Sequence, residues 1–191
     1  MYRKFSRACA LLLVLLSLLT CAGPAGASET GVPEIALTSV GQSPDAVMVN
    51  VVLKRQKIAA DYEAAMQGAD LAGQKILIAV VGGSSKGLGA AGVDKNQELE
   101  RCVSLINAAK SKGMKVLVMH VGGEGRRGDL SDAFIEGVVP LADSLIVVKG
   151  GNADGLFDKL KPGNVAMRES DGIQTVWGSL EAVLKEWGVG S

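Results

Sequence analysis

His120, the chain's single histidine, closes an apolar run and stands four residues ahead of Glu124. A histidine beside a carboxylate is the usual pair for general acid–base work, and Ser84 or Ser85, at the end of another apolar run, would be the hydroxyl to activate. The competing reading gives His120 a structural task, a hydrogen bond that orients the loop after its strand. A metal centre would have only Glu124 and Asp129 nearby to complete it, which is a sparse set, and none is expected.

A second chemistry needs no reacting group. Gln42, Ser43, Gly82, Gly83, Ser84, Ser85, Lys86, His120, Arg126 and Asn152 all lie in or beside glycine-rich turns that follow apolar runs. Free backbone N–H groups, helix N-termini and the cations Lys86, Arg126 and Arg127 favour an anion, so the ligand expected is a small carboxylate or phosphate. The bland alternative is that tight turns contain glycine and are polar in any case.

The most concentrated of these turns, in residues 82–94, contains a literal G-x-G-x-x-G from Gly87 to Gly92, and also Gly83-x-x-x-Gly87-x-Gly89. In a dinucleotide fingerprint the glycines straddle the turn into a helix. Here the clear capping box, Asp94 with Gln97, comes only after the last glycine. The motif follows a middle strand, no acid closes the next strand to hold a ribose, and no Tyr-x-x-x-Lys pair exists. No nucleotide or other cofactor is expected.

The elements that must position these turns follow from periodicity. Apolar runs at 34–40, 76–81, 116–121 and 145–148 read as buried strands, with weaker ones at 61–65 and 165–167. Ser43 as N-cap, Pro44 in the first turn and Asp45 facing the dipole start a helix over 44–56, although its valines alone would favour a strand. Further helices are expected from Asp94 to Lys112-Gly113, from Asp129, where Leu130, Phe134, Val138 and Leu141 share a face, over 154–160, and around Leu180, Val183, Leu184 and Trp187. Strands alternating with helices make a single doubly wound α/β domain, a parallel sheet of five or six strands with helices on both faces. The order expected is flavodoxin-like, 2-1-3-4-5, because the second strand is the weakest and suits an edge. Ligands of such folds sit where the sheet reverses, outside the carboxyl ends of the first and third strands, between Gly41-Gln42-Ser43 and residues 82–86.

Ahead of the domain, Arg3, Lys4 and Arg7, an apolar run over 8–19 and Ala25-Gly26-Ala27 read as a signal peptide over 1–27, followed by a linker at 28–33 and the domain at 34–191. The expected location is therefore periplasmic or extracellular, with lipid anchoring at Cys21 as an alternative. Basic and acidic residues are equal in number, 20 of each, and removal of the signal takes away only basic ones. The resulting excess of acid is no footprint for nucleic acid, and no membrane span is expected after the signal. Cys102 would stand alone, and its spacing with Leu99, Val103 and Ile106 makes it a small buried hydrophobe. The helix over 44–56 is apolar nearly all round, which suggests a second cover, such as another subunit in a homo-oligomer.

Four stretches together, TSVGQSPDAVMV (38–49), ILIAVVGGSSKGLGAAGVD (76–94), VLVMHVGGEGRRGDLSD (116–132) and LIVVKGGNADGLFDKL (145–160), resemble a family of exported bacterial proteins described only as a domain of unknown function, the one numbered 6305. The resemblance implies a secreted or periplasmic single-domain protein without an assigned activity, and it supplies no catalytic residues. The sequence therefore supports first a binding module for a small anion, with an interaction or envelope-assembly module, or an enzyme using His120, as the alternatives; the balance is towards no enzyme.

Overall fold

Four buried central runs and two polar edge runs become the strands of one all-parallel sheet in the computed structural model, which describes residues 31–189. In chain order the elements are β1 (Ile35–Val40), α1 (Asp45–Arg55), β2 (Ala60–Tyr62), β3 (Ile76–Val81), α2 (Ser85–Ala91), α3 (Lys95–Ser111), β4 (Lys115–His120), α4 (Asp129–Val138), β5 (Ser144–Val148), α5 (Leu156–Leu160), β6 (Ala166–Ser170) and α6 (Val176–Glu186). The strand order is β2-β1-β3-β4-β5-β6. It is the flavodoxin-like order with a sixth strand added beyond the fifth. The segment 1–27 read as a signal peptide, with Cys21, lies outside the described residues.

Side chains alternate across the sheet and feed two cores. Ala36, Leu77, Val116 and Leu145 point to the layer made by Cys102, Leu105, Ile106 and Ala109 of α3, Phe134 and Val138 of α4, and Phe157 of α5. Ile35, Ile76, Leu117 and Ile146 point to the opposite layer, made by Ala46, Val49 and Leu53 of α1 with Val176, Leu180, Val183 and Leu184 of α6. Both faces being covered explains why every residue of β1, β3 and β5 is buried. The two edges are the polar strands, β2 with three half-buried residues and β6 with the sequence AMRES.

Two local expectations are corrected. α1 begins at Asp45, so Pro44 occupies the cap position and Ser43 supports it from one residue further out, its Oγ accepting from Asp45 N at 3.3 Å. The valine run is helical because Ala46, Val49 and Leu53 complete a sheet-facing stripe, and Asp45, Lys54 and Arg55 complement the dipole at its two ends. The larger correction is α2, a seven-residue helix inside the glycine stretch read above as loop. Ser84 caps it, Oγ accepting from Gly87 N at 3.0 Å, and Gly92 ends it in the left-handed conformation. A helix therefore does follow β3 directly, and the late start of the helix is no longer a reason to set aside a nucleotide fingerprint. The middle-strand position and the missing ribose acid remain as reasons. The box at Asp94 and Gln97 caps α3 as expected, with Asp94 Oδ1 accepting from the N–H groups of Asn96 and Gln97.

Candidate functional site

The sheet reverses between β1 and β3, and the turns that leave those strands meet each other. Gln42 and Gly83 form an antiparallel bridge, while Ser84 N donates to Gly41 O and Gly82 N to Val40 O, both at 2.9 Å. Glycines here permit contact between backbones. A Cβ on Gly87 would stand 2.0 Å from Gln42 O, and one on Gly41, whose φ is +89°, would stand 2.7 Å from Gly82 O.

Beneath this seam lies a buried ion pair from α3. Glu98 is 1 % exposed, and its Oε1 accepts from Gly41 N at 3.0 Å and from Gln42 Nε2 at 3.1 Å. Arg101 donates to Glu98 Oε2 at 2.8 Å, to Met66 O at 2.8 Å and to Ser39 O at 2.6 Å. Burial pushes the Glu98 carboxyl up, but the bonds and charge of Arg101, with those from Gln42 and Gly41, outweigh it and hold it below its ordinary value. Arg101 is opposed by burial and raised on balance by Glu98. Cys102 beside them is buried, and burial pushes its thiol up to about 12, which fits an inert core residue.

The open space lies one strand along. A hollow of about 310 Å³ is lined by Gly83, Ser85, Arg126, Arg127, Gly128 and the first turn of α4 through Ser131. Gly128 precedes α4 with φ +128°, and no side chain caps that helix. Ser131 Oγ accepts from Gly83 N at 2.9 Å and so ties the two walls together. Arg126 reaches back to Asp45, Nη2 donating to Oδ1 at 3.3 Å; its Nε is 3.3 Å from Oδ2, yet Oδ2 is buried without any hydrogen bond. Arg127 is fully engaged, bonding Asp132, Gly151 O and Asp154 and standing 5.9 Å from the Phe157 ring. Asp154 and then Asp132 raise the Arg127 guanidinium, and Arg127 in turn holds the Asp154 carboxyl well below its usual range. A larger hollow, about 660 Å³, lies at the opposite edge around Gly73, Gln74, Lys112 and Gly113. Its buried amide, Gln74, is already bonded to Ala72 N and Asp61, so the carboxyl edge carries the better chemistry.

His120 is 0 % exposed, with Nδ1 at 3.0 Å from Val81 O and Nε2 at 3.1 Å from Gly123 O. Its ring lies 5.6 Å from Phe157 and beneath Gly151, where a Cβ would come within 2.7 Å of Cδ2. This is the loop-orienting role. Among the described residues no hydrogen bond joins His120 to Glu124, which is exposed, or to Ser84, whose hydroxyl serves α2. Of the residues singled out above, Gly83, Ser85 and Arg126 share the hollow. Gln42, Ser43 and Gly82 belong to the sealed seam below it, Lys86 projects into solvent, and Asn152 caps α5 by accepting from Phe157 N. Glu98, Arg101 and Ser131 were not anticipated. Glu98 had a legible signal, a charge at the head of the stripe Cys102, Leu105, Ile106, Ala109. Among the described residues no group of three or more His, Cys, Asp or Glu could hold a metal ion. Nor is any helix among them long and apolar enough to cross a membrane.

Fold and site together define a doubly wound parallel α/β domain with a polar hollow at the carboxyl ends of its third and fourth strands. The chain belongs to the family described as Domain of unknown function (DUF6305), whose model matches residues 32–184. No curated protein and no solved structure matches it.

Proposed function

We propose that this domain binds a small anion, a carboxylate or a phosphate, in the hollow between the β3–α2 and β4–α4 turns. The observation that carries this reading is the N-terminus of the ten-residue helix α4, whose cap residue Gly128 offers no side-chain bond, opening beside the loosely paired guanidinium of Arg126, with Asp129 and Asp132 of the first turn offsetting part of the positive end. An incoming anion would take the N–H groups of that turn and an outward bond from Arg126, while Ser85 borders the entrance. The glycines at 83 and 125 keep side chains off the walls.

The test is thermal denaturation with phosphate, sulfate, acetate and citrate against sodium chloride at matched ionic strength. An anion present at a hundred times its Kd stabilises by about 2.7 kcal/mol, and Arg126→Gln abolishes the rise in Tm. If no anion exceeds the salt control, or if Arg126→Gln leaves the rise intact, the reading is wrong. We also propose that the domain works outside the cytoplasm after loss of residues 1–27. Mass spectrometry of protein recovered after export should then give a chain starting at Ser28, and a chain starting at Met1 would refute this.

A further inference from the structure

We infer that the outer face of α1, together with the basic turn after it, rests on an anionic lipid surface. Among the described residues only four large apolar side chains are exposed, and three of them are on this helix: Val47 and Met48 at 45 % and Val51 at 36 %. With the exposed Pro44 they stand at spacings of three and four, one stripe directly opposite the sheet-facing Ala46, Val49 and Leu53. The stripe runs into Lys54, Arg55 and Lys57, all exposed, and among the described residues no ion pair engages these three cations. Short apolar side chains ending in unpaired cations are what the boundary between headgroups and acyl chains accepts, because the cations reach phosphates while their stems stay with the apolar layer.

Topology supports that occupant. α1 runs back against the strands, so its basic end lies at their amino edge, where the exposed Lys115 begins β4 and Lys75, paired with Glu34, precedes β3. A second copy of the chain suits the face less well. Three partly exposed side chains are far short of the roughly 800 Å² per partner that a stable dimer buries. An antiparallel pair of α1 helices would also bring Lys54 and Arg55 of each to the positive end of the other, whose Asp45 is already held by Arg126.

Protein recovered after export is sedimented with vesicles of phosphatidylcholine alone and of phosphatidylcholine with one-third phosphatidylglycerol. The readout is the ratio of the two partition coefficients, since any apolar segment left ahead of Gly31 enters both. Three cations at an anionic surface should give a ratio on the order of a hundredfold, decreasing with salt. Lys54→Gln/Arg55→Gln/Lys57→Gln should bring it near one, and Met48→Ser/Val51→Ser should weaken binding to the mixed vesicles. All five positions face solvent, and circular dichroism checks that the fold is kept. A wild-type ratio near one, or a ratio unmoved by the triple change, overturns the inference. So does a dimer seen by light scattering that Met48→Ser/Val51→Ser dissolves, which would assign the stripe to a second copy.

Discussion

Two neighbouring crevices at the carboxyl edge of the sheet are bounded by the same glycine turn and end up opposite in character. Between β1 and β3 the turns are stitched backbone to backbone over a buried Glu98–Arg101 pair. Between β3 and β4 the ties run through side chains, Ser131 to Gly83 N and His120 to Val81 O, and a hollow remains between an uncapped helix and a loosely held arginine. Topology decides where N–H groups converge in a doubly wound sheet. Whether a ligand can enter is decided by the helix behind: α3 sends a charge under the first crevice, whereas α4 begins at the second and leaves its positive end facing outward.

The largest expected effect separates these two uses of glycine. Gly87→Ala places a methyl 2.0 Å from a backbone oxygen of Gln42, so α2 or the 41–43 turn must move, at a cost of about 3 kcal/mol. Gly89, two residues on in the same helix, has nothing within 4 Å of its Cβ position, and Gly89→Ala should stabilise by roughly 0.5–1 kcal/mol. Urea denaturation of the two variants decides the matter. Equal effects would mean that the turns are not packed together and that the first crevice is open in solution.

Next comes the ion pair itself. Glu98→Gln leaves Arg101, with only 9 % of its side chain exposed, without its charge partner and should cost about 3–5 kcal/mol. Adding Arg101→Met should recover much of that loss. The same pair sets an acid limit. Because Glu98 is held below its ordinary 4.5 in the fold, its contribution is fully present above that value and is lost as pH falls through the lower, folded one. Tm should therefore fall more steeply below pH 4.5 in the wild type than in Glu98→Gln, and parallel curves would remove Glu98 from the account.

Much of this architecture was legible. The unbroken apolar strands gave a sheet covered on both faces, the polar second run gave its edge, and the box at Asp94 and Gln97 gave the start of α3. α2 escaped because SKGLGAA offers one buried side chain, Leu88, and two glycines, so neither period nor propensity marks it; only the Ser84 cap and the left-handed Gly92 do. The edge was legible, and the open hollow lies one strand along from the crevice expected there. Glycine turns announce close approach, and sequence does not say whether the approaching partner is a ligand or, as with Gly41 and Gly87, another turn of the same chain. His120 teaches the same lesson, since a polar ring ending a strand can be buried with its nitrogens facing carbonyls of its own fold.

The smallest expected effect is the sharpest probe of the comparison. Asp45 also forms a carboxylate–arginine pair, but its Oδ2 is buried without a hydrogen bond, its best contact with Arg126 is 3.3 Å, and about a third of the Arg126 side chain is exposed. Asp45→Asn gives up a weak attraction and removes a charge that burial penalises, so the two terms should nearly cancel, leaving stability within about 1 kcal/mol of wild type in urea. It also releases Arg126 towards the hollow, and phosphate should then raise Tm more than it does for the wild type. If Asp45→Asn instead destabilises as much as Glu98→Gln, both crevices are locked by the same kind of pair. Arg126 would then be part of the frame, and the contrast between a sealed and an open crevice would not hold.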